Sequence, residues 1–246
     1  MLSFTAMWSF DSVTSTMEVA RELAPRFEVG DVGLVVARHQ TAGRGRQGRL
    51  WLSAEGAFLG TYILSLPSRP LELRGFSLVV GLVINQVLAR RGMETFLKWP
   101  NDVLSPDGRK IAGVLIEVIP SKRGLLVLCG IGCNLEHTPE GVSGAVSVSE
   151  LGGSFSRYEF IQEINPVLVE YTDRFLEKGF AAFREEWLAQ AYIPSGAVLV
   201  RSSDGIISAA WRGITSIGEL VVIDGEGRER IVSSGDMTEE SFAPGG

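Results

Sequence analysis

Apolar residues repeat at intervals of three and four positions in several parts of the chain, and this period predicts amphipathic helices. One helix should begin at Ser15, because Ser15 is followed three positions later by Glu18 in the pattern of a capping box. Pro25 predicts its end. The same period predicts helices through residues 76–88 and 158–175, with a shorter helix after the last of these.

Shorter apolar runs, bounded by Gly, Pro or polar turns, predict strands. Before Pro194 these runs are 33–37, 57–66, 96–99, 110–119 and 125–132. The last two flank the turn-forming segment 120–124 and should pair antiparallel. Four more short runs follow Pro194, at 197–201, 206–214, 220–223 and 229–232. They predict a small β-barrel, so we expect a domain of residues 1–193 followed by one of residues 194–246.

The composition is that of a folded globular chain. It has 246 residues, of which 45% are hydrophobic and 21% are charged, so enough apolar sequence is available to bury a core. The net charge of −6 disfavours general nucleic-acid binding, because a polyanion is repelled unless a local cluster of cations outweighs the overall field. Cys129 and Cys133 fit neither a C-x-x-C redox pair nor a zinc site. The chain shows no signal-peptide pattern and no apolar run of membrane-spanning length, so we expect a cytoplasmic protein that does not bind a membrane.

The strongest local positive charge lies in residues 38–50, which contain four arginines and no carboxylate. Residues 43–49 read GRGRQGR. Glycines let the backbone approach a ligand closely, and guanidinium groups donate paired hydrogen bonds to carboxylates and phosphates. We therefore interpret this segment as an anion-binding loop. It also matches G-x-G-x-x-G, but a strand rather than a helix is predicted after it, which disfavours a dinucleotide fold. An arginine-rich loop that binds RNA is the alternative.

Two predicted strands end in polar residues. Residues 98–102 read KWPND. Lys98 would hold an ammonium at a rigid strand end, and Asn101 and Asp102 could orient that ammonium or a hydrated magnesium ion. The alternative is an ordinary Asn-Asp turn with a solvated Lys98. Residues 130–134 read GIGCN, and the two glycines would let a ligand approach the backbone beside Asn134. A strand end with Asn134 in a left-handed turn is the alternative.

These segments occur in the order seen in biotin protein ligases, which the chain resembles over nearly its whole length. The motifs are Ser15-Thr16, QTAGRGRQGR at 40–49 with Trp51, KWPND at 98–102, KIAGVLIE at 110–117 and GIGCN at 130–134. The resemblance implies an α+β catalytic domain with the mixed sheet of class II aminoacyl-tRNA synthetases, followed by a small SH3-like β-barrel. It implies an enzyme that converts biotin to biotinyl-AMP with ATP and Mg²⁺. Biotin would then be transferred to a lysine of a biotin carboxyl carrier domain.

The resemblance also implies roles for individual residues. Lys98 and Arg46 would be the catalytic cations. The biotin-binding residues implied are Ser15, Thr16, Met17, Gln40, Arg44, Gly45, Arg46, Lys98 and Gly113. The ATP- and adenylate-binding residues implied are Arg44, Arg46, Arg49, Trp51, Lys98, Asn101, Asp102, Lys110 and Asn134. No ligand set for a resident metal is implied, and magnesium would arrive with ATP.

The chain departs from the family pattern at two positions. Met17 stands where many members have Asn, and Gly60 stands where some have an aromatic residue. Only fourteen residues precede Ser15, so we expect no N-terminal DNA-binding domain and no specific nucleic-acid partner. A homodimer is left open. The alternative functions are a lipoate-type ligase, an adenylate-binding regulator without transfer activity, and a regulator that binds nucleic acid through the arginine loop.

Overall fold

A computed structural model describes residues 1–67, 73–121, 124–203 and 205–239. Its larger sheet has seven strands in the spatial order β1-β2-β3-β7-β6-β5-β4. The strands are β1 (Ser3–Val13), β2 (Asp31–Gln40), β3 (Phe58–Pro67), β4 (Phe96–Lys98), β5 (Asp102–Leu104), β6 (Lys110–Ser121) and β7 (Gly124–Cys133). β1 and β2 are parallel, and the other neighbours are antiparallel. The predicted α+β class with a mixed sheet is confirmed.

Two of these strands have no counterpart in the sequence prediction. β1 is an edge strand whose residues are mostly exposed or half-buried, so it lacks the buried apolar run that marked its neighbours. β5 has only three residues and exists because it pairs with β4 and β6. The predicted antiparallel pair of β6 and β7 is confirmed. Residues 122 and 123 of the turn predicted between them lie outside the described residues.

Helices cover both faces of this sheet. They are α1 (Thr16–Leu23), α2 (Phe76–Ala89), α3 (Arg157–Lys178) and α4 (Arg184–Ala189). α1 packs on one face, where its apolar residues join Val35, Ile63 and Leu128. α2 and α3 cover the other face, where neighbouring positions such as Leu34 and Tyr62 point. Because successive strand residues point to opposite faces, β3 is buried at nine consecutive positions, from Phe58 to Leu66.

The start of α1 is where the sequence predicts it, but its cap differs. The Ser15 side chain accepts a hydrogen bond from the Met17 amide at 3.3 Å. Glu18 instead accepts from the Thr14 hydroxyl at 2.5 Å, so the capping box predicted here is wrong. The structure does contain a full capping box, at the start of α3, where Ser156 and Glu159 bond to each other's backbone amides.

A second sheet of five antiparallel strands follows, in the order β11-β10-β9-β8-β12. Its strands are β8 (Ala197–Ser202), β9 (Gly205–Ile214), β10 (Leu220–Asp224), β11 (Glu229–Val232) and β12 (Asp236–Glu239). It packs on the preceding part of the chain, where Trp99 Nε1 donates to the Gly218 carbonyl at 3.1 Å. Arg184 Nε donates to the Ile214 carbonyl at 2.9 Å. The domain boundary near residue 194 stays a prediction, and residues 240–246 lie outside the described residues.

Candidate active site

A cavity of about 150 Å³ opens beside the N-terminus of α1. Gly113 of β6 and Gly130 and Gly132 of β7 form part of its floor. A Cβ at Gly130 would lie 2.8 Å from the Met17 sulfur, and one at Gly132 would overlap the Trp51 indole. Side chains at these positions would therefore fill the space that the cavity occupies.

One end of the cavity is a network of neutral polar groups. Gln40, at the end of β2, turns its side-chain oxygen toward the start of α1, where it accepts from the Thr16 amide at 2.7 Å and the Thr16 hydroxyl at 3.1 Å. The buried Thr61 hydroxyl donates to Thr16 Oγ1 at 2.8 Å. Ser15 lies beside them and also lines the cavity. This end presents oriented dipoles without charge.

The loop after β2 brings three guanidinium groups to the same cavity. Arg44 Nη2 lies 2.6 Å from Glu18 Oε1 on α1. Arg49 forms an ion pair with Asp236 on β12. Arg46 Nη1 donates to Asn101 Oδ1 at 3.3 Å. The three arginines thus tie the loop to α1, to the turn between β4 and β5, and to β12.

Arg46 is the most buried of the three arginines that line the cavity. Burial lowers the pKa of its guanidinium, and the carboxylates of Asp236 and Asp102 act in the opposite direction. A desolvated cation gains more from an anionic ligand than an exposed one does, because the field is less screened.

Lys110, the first residue of β6, supplies the fourth cation. Its Nζ lies 2.6 Å from Asp102 Oδ1 and 5.3 Å from the centre of the Trp51 ring. Four cationic side chains and two carboxylates line the cavity. The excess of positive charge suits a ligand that carries several negative charges.

Most residues that the sequence analysis proposed for the site do line this cavity. They are Ser15, Thr16, Met17, Gln40, Arg44, Gly45, Arg46, Arg49, Trp51, Asn101, Asp102, Lys110 and Gly113. Lys98 and Asn134 do not.

The sequence predicts that Lys98 and Arg46 share one site, but in the structure Lys98 does not line the cavity that contains Arg46. Lys98 ends β4, the outermost strand, and pairs with Asp102 on β5, which in turn pairs with Gly113. It therefore lies two strands from the cavity floor. A strand end does fix a side chain in place, but β4 is at the edge of the sheet, away from the cavity floor. The fixed ammonium in the cavity is that of Lys110.

Asn134 lies beneath the site rather than in its wall. It is buried, and its Nδ2 lies 3.4 Å from the carbonyl oxygens of Lys110 and Val146, to which it donates. Its amide therefore supports the start of β6 and the placement of Lys110. Its Oδ1 is buried and accepts no hydrogen bond from the described residues.

Two further features of the cavity are a carboxylate that the sequence did not indicate and a buried donor that lacks an acceptor. Asp236 comes from β12, far along the chain, and no local pattern marks it as a site residue. Trp51 Nε1 is buried and has no hydrogen-bond acceptor among the described residues. Because a buried donor without a partner is costly, a ligand oxygen at this edge of the cavity would satisfy it.

A larger cavity of about 690 Å³ lies on the other side of Trp51. It shares Gln40, Leu50 and Trp51 with the first cavity and is also lined by residues 137–140. Ligand pockets for small molecules typically span about 300–1,000 Å³. The two cavities together therefore have room for a ligand that the first alone would not hold.

The described residues contain neither a cluster of candidate metal ligands nor a membrane-spanning helix. In residues 1–67, 73–121, 124–203 and 205–239, no group of three or more His, Cys, Asp or Glu side chains is arranged to hold a metal ion. No helix in that part of the chain combines the length and hydrophobicity that a membrane crossing requires.

The chain is similar to known ligases in both sequence and structure. The family model described as "Biotin/lipoate A/B protein ligase family" matches residues 9–134. The chain is 33% identical over 228 residues to the biotin–[acetyl-CoA-carboxylase] ligase of Paracoccus denitrificans, covering 88% of this chain and 94% of that protein. It is 30% identical over 233 residues to the bifunctional ligase/repressor BirA of Bacillus subtilis, covering 91% and 71%. The solved biotin protein ligase of Aquifex aeolicus in complex with biotin and ATP superposes with a TM-score of 0.79 at 29% identity, covering 96% of this chain and 98% of that one.

Proposed function

Because the chain belongs to the biotin/lipoate A/B protein ligase family, we propose that it activates biotin with ATP and transfers it to a lysine of a carrier domain. The first step joins the biotin carboxylate to the α-phosphate of ATP and releases pyrophosphate. The second step gives the carrier an amide-linked biotin and releases AMP. The relative from Paracoccus denitrificans and the solved structure from Aquifex aeolicus are biotin ligases, which favours biotin over lipoate as the substrate.

The first step brings two anions together, so fixed cations are its main requirement. A carboxylate oxygen attacks phosphorus, and negative charge spreads over the phosphoryl oxygens as pyrophosphate leaves. Arg46 and Lys110 line the same cavity and would stabilise that charge. Lys110 thus takes the catalytic role that the sequence analysis gave to Lys98. Arg44 would close over the bound biotin.

Biotin is an elongated molecule with one neutral and one anionic end, and the lining of the first cavity offers groups that match both ends. The neutral polar network of Ser15, Thr16 and Gln40 suits the ureido group, which both donates and accepts hydrogen bonds. The floor of glycines would leave space for the ring system and its aliphatic chain. The carboxylate would then lie toward Lys110.

ATP would extend from the first cavity past Trp51 into the larger one. Arg49 lines the first cavity, and Trp51 lies at the junction of the two. Trp51 Nε1 has no hydrogen-bond acceptor among the described residues and can donate to a phosphate or ribose oxygen. Asn101 and Asp102 carry oxygens of the kind that Mg²⁺ prefers, which fits a magnesium ion bound mainly by the phosphates. When bound, that ion neutralises phosphate charge and orients the phosphates for displacement.

The acceptor is the carrier domain of a biotin-dependent carboxylase. The biotin–[acetyl-CoA-carboxylase] ligases among the relatives support this class of partner. A homodimer, a cytoplasmic location and the lack of a specific nucleic-acid partner stay predictions.

The observation that carries this function is the convergence of three guanidinium groups and one ammonium on a single glycine-floored cavity. To test it, the purified protein is incubated with biotin, ATP and Mg²⁺, and pyrophosphate release is measured. A carrier domain is then added, and its mass and the modified lysine are determined by mass spectrometry. Lipoate in place of biotin serves as the matched control. Activation of lipoate alone, or binding of biotin and ATP without pyrophosphate release, would contradict the proposal.

A further inference from the structure

A second cavity of about 220 Å³ lies between the two sheets and adjoins the first. The two share Arg46, Asn101, Val114 and Leu115, so Arg46 stands at the junction between them. At the other end, the exposed Ser233 and Ser234 of the β11–β12 connection open to solvent. This cavity therefore connects solvent with the place where the carboxylate and phosphate would react.

The walls of this cavity have two kinds of surface. Leu78, Val114, Leu115 and Ile116 provide aliphatic side chains. The charged side chains in its lining are Arg46, Arg74 and Glu219. A long aliphatic stem with a charged tip matches such a lining, and that is the chemistry of a lysine side chain.

Glu219 is held firmly in this cavity. Its side chain is 13% exposed. Oε1 accepts from the Ser233 hydroxyl at 2.7 Å and lies 3.5 Å from Arg74 Nη1. Oε2 accepts a long hydrogen bond of 3.5 Å from the Thr215 hydroxyl. One oxygen of the carboxylate is thus well occupied, while the other keeps capacity for a further donor.

We propose that this second cavity is the access channel for the acceptor lysine of the carrier domain, and that Glu219 receives its ammonium. The inference rests on the proposed function and adds to it the route of the second substrate and the residue that meets it. The carrier stays outside, at the mouth beside Ser234, and only its lysine side chain enters.

The arrangement also accounts for how the acceptor loses its proton. At Glu219 the ammonium is stabilised by an opposite charge, whereas near Arg46 a like charge and the aliphatic wall disfavour it. As the nitrogen moves from Glu219 toward Arg46, the ammonium therefore gives one proton to water. The neutral nitrogen then attacks the carbonyl carbon of biotinyl-AMP. The C–N bond forms, the C–O bond to phosphate breaks with its electrons going to AMP, and the second proton leaves the nitrogen to water.

The test measures the two half-reactions separately in the full-length protein. Biotinyl-AMP is formed on the enzyme, and its transfer is followed in single turnover to a carrier domain and to n-butylamine, which has the stem and amine of lysine without the carrier. We expect Glu219→Gln to lower the second-order rate constant for both acceptors by about tenfold or more, since a charge-assisted contact is lost. Glu229→Gln removes an exposed carboxylate from β11 of the same sheet and should change neither rate.

A second variant tests the channel by its size. Ser234→Trp places a bulky ring at the mouth and should slow transfer to both acceptors, while pyrophosphate release from biotin and ATP continues. Unchanged transfer in both variants would overturn the assignment. Slower transfer to the carrier but not to n-butylamine would overturn it too, because Glu219 would then contact the carrier surface. Loss of adenylate formation in Glu219→Gln would place the residue in the first step instead. Failure of the parent protein to form biotinyl-AMP would refute the proposed function itself, before any variant is compared.

Discussion

Replacing Lys110 with Gln should slow adenylate formation far more than the same change at Lys98. Each substitution removes one ammonium from the same sheet, Lys98 at the end of β4 and Lys110 at the start of β6. Only Lys110 lines the cavity, where its Nζ is held 2.6 Å from Asp102 Oδ1. A cation that is already in position needs no reorganisation when charge develops on the phosphoryl oxygens.

The size of the effect follows from the burial of Lys110. Removing one preorganised donor from such a site typically costs about 10²–10³ in rate. The Lys110 side chain is 34% exposed. Because water partly screens this charge, we expect the rate of adenylate formation to fall by about 10², the lower end of that range. The ion pair with Asp102 is partly exposed as well, so its loss should reduce the free energy of unfolding by at most about 1 kcal/mol.

The assay is pyrophosphate release at saturating biotin and ATP, with the unfolding midpoint of each variant measured in urea. Lys98→Gln is the matched control, and Lys110→Arg keeps the charge and should recover part of the rate. Equal losses in Lys98→Gln and Lys110→Gln would refute the assignment of the ammonium to Lys110. So would a Lys110→Gln enzyme that forms biotinyl-AMP at the parental rate.

Four further outcomes are expected. Gly132→Val would force Trp51 off the cavity floor, so biotin affinity measured by titration calorimetry should fall while the thermal midpoint changes little. Phe160→Ala empties a fully buried site beside two other aromatic rings and should lower the free energy of unfolding in urea by about 3–5 kcal/mol. Ser156→Ala removes the capping box of α3 and should cost about 1 kcal/mol in the same measurement. Burial raises the pKa of the Cys129 and Cys133 thiols, so both should resist alkylation at pH 8 until the protein unfolds. The thiols ionise at a lower pH in the unfolded chain than in the folded one. Their contribution to the free energy of unfolding is therefore full below about pH 8.5 and falls as the pH rises above that value.

The sequence predicted the elements whose residues are buried by a regular pattern. α2 shows this with apolar residues at steps of three and four positions, and β6 and β7 show it with nearly continuous apolar runs on either side of a turn-forming segment. β5 was not predicted because three residues carry too little pattern, and it forms only through its neighbours. The capping box predicted at Ser15 is wrong because the Glu18 carboxylate bonds instead to Thr14, one helical turn before it, and to Arg44, which is close to it only in the folded chain.

The part of the candidate site that could be predicted is the part whose residues lie close together in the sequence. The arginine loop combines glycines and guanidinium groups within a few residues, so its role as an anion-binding segment could be inferred from the sequence. The choice between Lys98 and Lys110 could not, because it depends on the order of strands in the sheet. Asp236 and Glu219 could not be found either, because both reach their cavities only through the packing of the second sheet on the first.

This packing has a consequence for recombining parts of related ligases. The C-terminal sheet supplies Asp236 to one cavity and Glu219 to the next, so it is not a self-contained module that can be exchanged at a loop. A chimera that takes its last strands from a relative would also replace the counter-ion of Arg49 and the carboxylate beside Arg74. Such hybrids should fold more often than they function, unless residues on both sides of the junction are transplanted together.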